Sequence, residues 1–93
     1  MKDWQNFKKE LLKDPEIKRG YDALELEYSI IAQVIQSRIE KGFTQKQLAQ
    51  RIGTTQSAIA RLEGGNTNPS IAFLQKVAQA LSTKLSISLS KIV

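Results

Sequence analysis

Apolar residues recur at helical spacing along most of this chain, and the places where the spacing breaks mark its elements. Trp4, Phe7 and Leu11, with Leu12 beside them, share one face over residues 2–13, while Lys8, Lys9 and Lys13 fall elsewhere on the wheel. This predicts a short amphipathic helix that stops before Asp14, because a residue preceding proline is pushed out of the α region. Asp14-Pro15-Glu16 then reads as a new start, with Asp14 as N-cap, Pro15 in the first helical position and Glu16 at the positive helix end. Ile17, Tyr21 and Leu24 continue one face across Gly20, which costs roughly 1 kcal/mol in a helix interior. Asp22 to Glu25 offers a further cap, so the boundary near residues 22–26 stays open.

From Leu26 to Lys41, Ile31, Val34, Ile35 and Ile39, with Tyr28 and Ile30 nearby, draw a wide stripe on a long helix. Gly42 suits its end, since glycine takes the left-handed conformation that stops helices, and Phe43 is expected to drop back into the core. Thr44 with Gln47 fits the capping box of the next helix, whose buried face is Leu48, Ala49 and Ile52. Gly53 breaks it, Thr54-Thr55 supply a hydroxyl cap, and Ile59 and Leu62 are the buried positions of the helix that follows. Gly64-Gly65-Asn66 ends that helix, and a loop runs to Pro69. Ser70 caps a last helix with Ile71, Leu74, Val77, Ala78 and Leu81 inward.

Near Ser82 the period changes, and Lys84 to Ile92 alternates polar with apolar residues, the signature of a half-buried strand. A single strand cannot satisfy its own ladder, and nothing upstream reads as a second one. The expected partner is the same strand of another copy, in a two-fold dimer with Leu85, Ile87 and Leu89 facing the helices. A frayed tail or a last helical turn is the other reading of these residues.

A chain of 93 residues is large enough for one modest core. It has no cysteine and no histidine, which removes disulfides, zinc sites of the usual ligand types and imidazole or thiol catalysis, so neither a metal nor a cofactor is expected. The close carboxylate pairs, Asp14/Glu16 and Glu25/Glu27, diverge at that spacing on a helix and lack burial or a partner, which argues against an enzyme and a small-molecule substrate. No apolar run reaches the length of a membrane span, and the charged start MKDWQNFKKELLKD is unlike a signal sequence, so a cytoplasmic protein is expected.

The charge is unevenly placed. Residues 1–40 carry seven basic and eight acidic groups, whereas residues 41–93 carry seven basic groups against Glu63 alone. A half so poor in carboxylates suits a polyanion, because phosphate contacts from Lys and Arg release counterions. A solvated basic face kept for solubility accounts for the charge equally well.

Between Gln45 and Leu62, each residue has a physical reason. Ala49 is small where a second helix crosses the first, Gly53 permits a positive φ in the tight turn, and Leu48, Ile52, Ile59 and Leu62 hold the pair on the core. The stretch TQKQLAQRIGTTQSAIARLEGGNTNPS resembles the helix-turn-helix of the lambdoid phage repressor and Cro proteins, the Xre class, over about residues 26–82. The resemblance implies an all-α, lambda-repressor-like five-helix domain over 24–82, preceded by a helical extension over 1–23 and followed by a short dimerisation strand over 83–93. An αα-hairpin with no DNA role has the same local construction.

The resemblance further implies double-stranded DNA as partner, with Gln56 to Glu63 lying in the major groove. Gln56 then contacts bases and braces Gln45, whose side chain sits against a phosphate. Gln56 can pair with adenine N6/N7, Ser57 can donate or accept, Thr55 offers methyl or hydroxyl, and Ala60 and Arg61 continue that face. Several of the phage proteins carry a second glutamine where this chain has Ser57, which leaves the half-site sequence open. The backbone amides of Thr44 and Gln45, with Asn66, Thr67 and Asn68, are phosphate-contact candidates, and ordinary turn chemistry explains the loop residues as well.

The first 23 residues are not required by that domain. Trp4, Phe7, Leu11, Leu12, Ile17 and Tyr21 give them a surplus apolar surface suited to a partner groove, or to packing on the chain's own core. The layout, LLKDPEIKRGYDALELEY before the helix-turn-helix and a short strand after it, is similar to HigA-type antitoxins. That resemblance implies a homodimer that represses its own operon at an inverted repeat, and a RelE/HigB-like mRNA-cleaving toxin as protein partner.

Overall fold

A computed structural model describes residues 2–65 and 67–91, the side chains of 2–4 excepted. Five helices form among the described residues: α1 (Lys2–Leu11), α2 (Pro15–Glu40), α3 (Gln45–Ile52), α4 (Gln56–Glu63) and α5 (Ile71–Ala80). The chain divides between Ile30 and Ile31 into two compact units.

In the first unit α1 ends where the proline requires it, and Asp14 opens α2. Its carboxylate accepts from the Glu16 N–H at 2.9 Å and its carbonyl from the Lys18 N–H at 2.9 Å. The open boundary at 22–26 is resolved in favour of one helix, which passes through Gly20 and Asp22 to Glu40. A cap forms where the chain leaves the helical path, and no proline or glycine at 22–26 forces it to. The Lys8 ammonium lies 4.7 Å from the centre of the Tyr21 ring, and a hydrogen bond with that side chain is the main reason its pKa is raised.

The second unit holds a core of Leu48, Ala49, Ile59, Leu62, Val77 and Leu81, with Val34, Phe43, Ile52, Phe73, Leu74 and Ala80 packed against it. α3 is central, lying against both α4 and α5. Phe43 joins this cluster as expected. Two residues read as inward are exposed, Ile39 and Ile71. Ile71 is the first residue of α5, beside its cap, and Phe73 takes the inward place. At the end of α2 it is Arg38, not Ile39, that turns inward, because a carboxylate waits there for it. Tyr28, read as near the same stripe, is exposed in the first unit.

Residues 83–91 form no regular element within a single chain, and the expected strand is one that pairs with a second copy. Ladder hydrogen bonds need a second strand, and no described residue of the same chain supplies one. Leu85 is half-buried, while Ile87 and Leu89 are 62% and 98% exposed, so the expected packing of all three on the helices does not occur in a single copy.

Candidate nucleic-acid interface

The site is built on α3 and α4. Thr44 opens α3 with a complete capping box: its hydroxyl accepts from the Gln47 N–H at 3.0 Å, and its own N–H donates to Gln47 Oε1 at 2.8 Å. Ala49 is buried beneath the turn, where the Gly53 and Thr54 N–H groups both donate to its carbonyl at 2.9 Å. Gly53 takes φ +82°, the left-handed conformation that lets α4 start at once in a new direction. Thr55 then caps α4, accepting from the Ala58 N–H at 3.1 Å.

Burial of Ile59 and Leu62 sets which side of α4 faces outward. Gln56, Ser57, Ala60 and Arg61 all lie on that exposed side, as positions i, i+1, i+4 and i+5 of a helix must. Four of the residues singled out for base contact are therefore brought together on one surface. Thr55 stands exposed at its start, with its oxygen engaged in the cap. Of the loop, Thr67 is half-buried and Asn68 exposed, and Asn66 lies outside the described residues.

Two expected details differ. The Thr44 N–H, a candidate for phosphate, is already donated to Gln47, because the capping box consumes it. Gln45 is braced by Glu63 instead of Gln56: its amide nitrogen donates to Glu63 Oε1 at 3.1 Å. Glu63 in turn receives Arg38 Nε at 2.7 Å and Nη2 at 3.0 Å, and Arg38 Nη1 reaches the Phe43 carbonyl at 2.8 Å. The carboxylate is the nearest strong acceptor, and a charged acceptor outcompetes a neutral amide for the Gln45 N–H.

Arg38 and Glu63 thus hold the α3–α4 frame in place, a role that the sequence did not assign to them. The signal was a lone acid in an otherwise basic half, since a single opposite charge in such a segment is a candidate for a buried pair. Its withdrawal changes the electrostatics: with Glu63 only 5% exposed, the outward charge of residues 41–65 and 67–91 is carried by lysine and arginine. Arg51 adds to it from α3, its guanidinium 4.7 Å over the Phe43 ring. Among the described residues no group of three or more acidic, His or Cys side chains gathers to hold a metal ion, and no helix is long and apolar enough to cross a membrane.

In the first unit Phe7 and Ile17 are exposed, while Leu11, Leu12 and Tyr21 are half-buried. The side chain of Trp4 lies outside the described residues. Leu24, Leu26 and Tyr28 add exposed apolar surface that the sequence reading did not assign to a partner.

The family model described as helix-turn-helix matches residues 34–87. A Haemophilus influenzae protein named as an HTH-type transcriptional regulator is 35% identical over 85 residues, covering 91% of this chain and 83% of its own. A Methanothermobacter thermautotrophicus protein of the same description is 43% identical over 44 residues, 47% of this chain and 64% of its own. A solved chain of a toxin-antitoxin module from Streptococcus pneumoniae superposes with a TM-score of 0.65 at 31% identity, covering 95% of this chain and 92% of that one.

Proposed function

Since the chain belongs to the Xre-type helix-turn-helix family of transcriptional regulators, we propose that it is the antitoxin and autorepressor of a toxin-antitoxin pair. The DNA reading is carried by the exposed row Gln56, Ser57, Ala60 and Arg61, presented by a buried α3–α4 frame whose one carboxylate is turned inward. α4 enters the major groove, where Gln56 reads adenine and Arg61 reads guanine or holds a phosphate. Thr55 and Ser57 border the same bases, while the backbone N–H of Gln45 and Asn66, Thr67 and Asn68 hold the DNA backbone. A homodimer joined through Leu85, Ile87 and Leu89 sets two such helices on an inverted repeat of its own operator.

The toxin reading is supported by the Streptococcus pneumoniae likeness, which extends over 95% of the chain and so beyond the helix-turn-helix itself. The partner is a RelE/HigB-like mRNA-cleaving toxin, held by Trp4, Phe7, Leu11, Leu12, Ile17 and Tyr21. Such a protein works in the cytoplasm, on the nucleoid when operator-bound. The test is to purify the protein with the product of its neighbouring reading frame and to measure retardation of the upstream DNA. A complex that blocks the partner's RNA cleavage and an operator shift support both roles; no shift at low salt sinks the repressor.

A second reading has an observation of its own. The Haemophilus influenzae relative matches 91% of the chain and is described as an HTH-type transcriptional regulator, a description that a stand-alone repressor also fits. Absence of any complex with the neighbouring product, with DNA binding intact, would decide for it.

A further inference from the structure

Ile17, Tyr21, Leu24 and Tyr28 follow one another at spacings of four, three and four, so they lie on one stripe of α2, about 16 Å long. Leu24 is 50% exposed and Tyr28 64%, and no side chain of α2 is buried. The buried core lies between Leu48 and Leu81, so among the described residues the first unit has none of its own. Acids border the stripe. A turn of about 100° per residue sets Glu25 on one side of Leu24 and Tyr28 and Glu27 on the other. From Gly20 to Ser37 the chain carries Asp22, Glu25 and Glu27 and no lysine or arginine. The Lys8 ammonium over Tyr21 offsets Glu25 in part, and Glu27 is in no ion pair among the described residues.

The charge decides what fits. The same segment of a second copy would add three acids and no base, and like charges set against each other across an interface cost affinity. A surface that offers lysines or arginines beside apolar side chains meets both the stripe and its borders. An enzyme that cleaves RNA has such a basic surface, because it must hold a chain of phosphates. We infer that Leu24, Glu25, Glu27 and Tyr28 bind the partner protein on a basic surface, the one that otherwise holds RNA phosphates, so that this chain and RNA exclude each other from it. The inference rests on the RNA-cleaving partner proposed above and specifies where that partner is held and how it is silenced. Leu24 and Tyr28 supply the apolar contact, while the two acids fix its position and make association depend on salt.

The test uses the full chain, the product of the neighbouring reading frame and a 2′-O-methyl RNA oligonucleotide, which carries phosphates but cannot be cleaved for want of a free 2′-hydroxyl. Leu24→Ser and Tyr28→Ser should each weaken the complex by about tenfold or more in calorimetry. Glu25→Lys with Glu27→Lys should weaken it to a similar degree, and Glu25→Gln with Glu27→Gln should flatten its dependence on salt. The oligonucleotide should displace the wild-type chain from the partner, while the operator shift of every variant stays as in the wild type. Undiminished affinity in the charge-reversed chain, or an oligonucleotide that joins the complex without displacing this chain, overturns the inference and leaves the toxin reading standing. A free chain whose sedimentation changes with Tyr28→Ser assigns the stripe to a second copy and overturns the inference too. No complex with the wild-type chain overturns the toxin reading itself.

Discussion

Arg38 grips Glu63 with two nitrogens, Nε at 2.7 Å and Nη2 at 3.0 Å, where the two side chains are only 15% and 5% exposed. The remaining groups are engaged too, Arg38 Nη1 by the Phe43 carbonyl and Glu63 Oε1 by the Gln45 amide. The pair joins the end of α2 to the end of α4, and through Gln45 to the start of α3. The orientation of α4 is thereby tied to both α2 and α3.

Desolvation offsets much of the attraction in such a pair, so its net contribution is small, but removal of one partner strands a charge in the interior. Arg38→Ala or Glu63→Ala should each cost about 3–5 kcal/mol in urea unfolding, and Arg38→Met with Glu63→Leu should recover most of the loss. At the Lys13–Glu10 pair, 73% and 72% exposed, Lys13→Ala should cost less than about 1 kcal/mol. Equal losses at the two pairs would show that burial is not what distinguishes them.

Gln56→Ala and Arg61→Ala should each weaken operator binding by about 1–3 kcal/mol in gel-shift titrations. Both side chains are exposed, so thermal melting should move by no more than about 0.5 kcal/mol equivalent. Thr55→Ala should instead lower stability by about 1 kcal/mol, because its oxygen caps α4. Unchanged titrations in both exposed variants would remove α4 from the groove.

Two glycines should respond to alanine with opposite signs. Gly53 sits at φ +82° with nothing within 4 Å of an added Cβ, so Gly53→Ala meets only backbone strain and should destabilise by about 1–2 kcal/mol. Gly20 lies inside α2 with the same open space, and Gly20→Ala should stabilise by about 0.5–1 kcal/mol. Melting curves of the two variants suffice, and a stabilised Gly53→Ala would contradict the left-handed turn.

Phe7→Ser and Ile17→Ser remove exposed apolar surface in the first unit. Each should leave the melting and the operator titration nearly unchanged while weakening, by calorimetry, the complex with the neighbouring gene product. Lost DNA binding in either variant would assign these residues to the fold and not to a partner.

What could be read from the chain was local. The caps at Asp14, Thr44, Thr55 and Ser70 join groups two or three residues apart, so their hydrogen bonds are visible as spacing, and they occur as expected. Gly42 and Gly53 were legible for the same reason, since only their backbone is at issue. The buried side of α4 followed from Ile59 and Leu62, and with it the row from Gln56 to Arg61. Helix type over 22–26 was not legible, because Asp22 is equally compatible with a cap and with an exposed helical position.

What only the tertiary structure decided was which of several competing groups reached each partner. Arg38 and Glu63 are separated by twenty-five residues, and no periodicity announces that one will enclose the other. Once paired, they turned Arg38 inward where Ile39 was expected, and took the Gln45 amide from Gln56. Periodicity marks positions on a helix, whereas burial depends on what stands opposite. For the same reason residues 83–91 alternate like a strand yet are none in a single copy: the pattern is a property of the sequence, whereas a strand needs a second one to hydrogen-bond with.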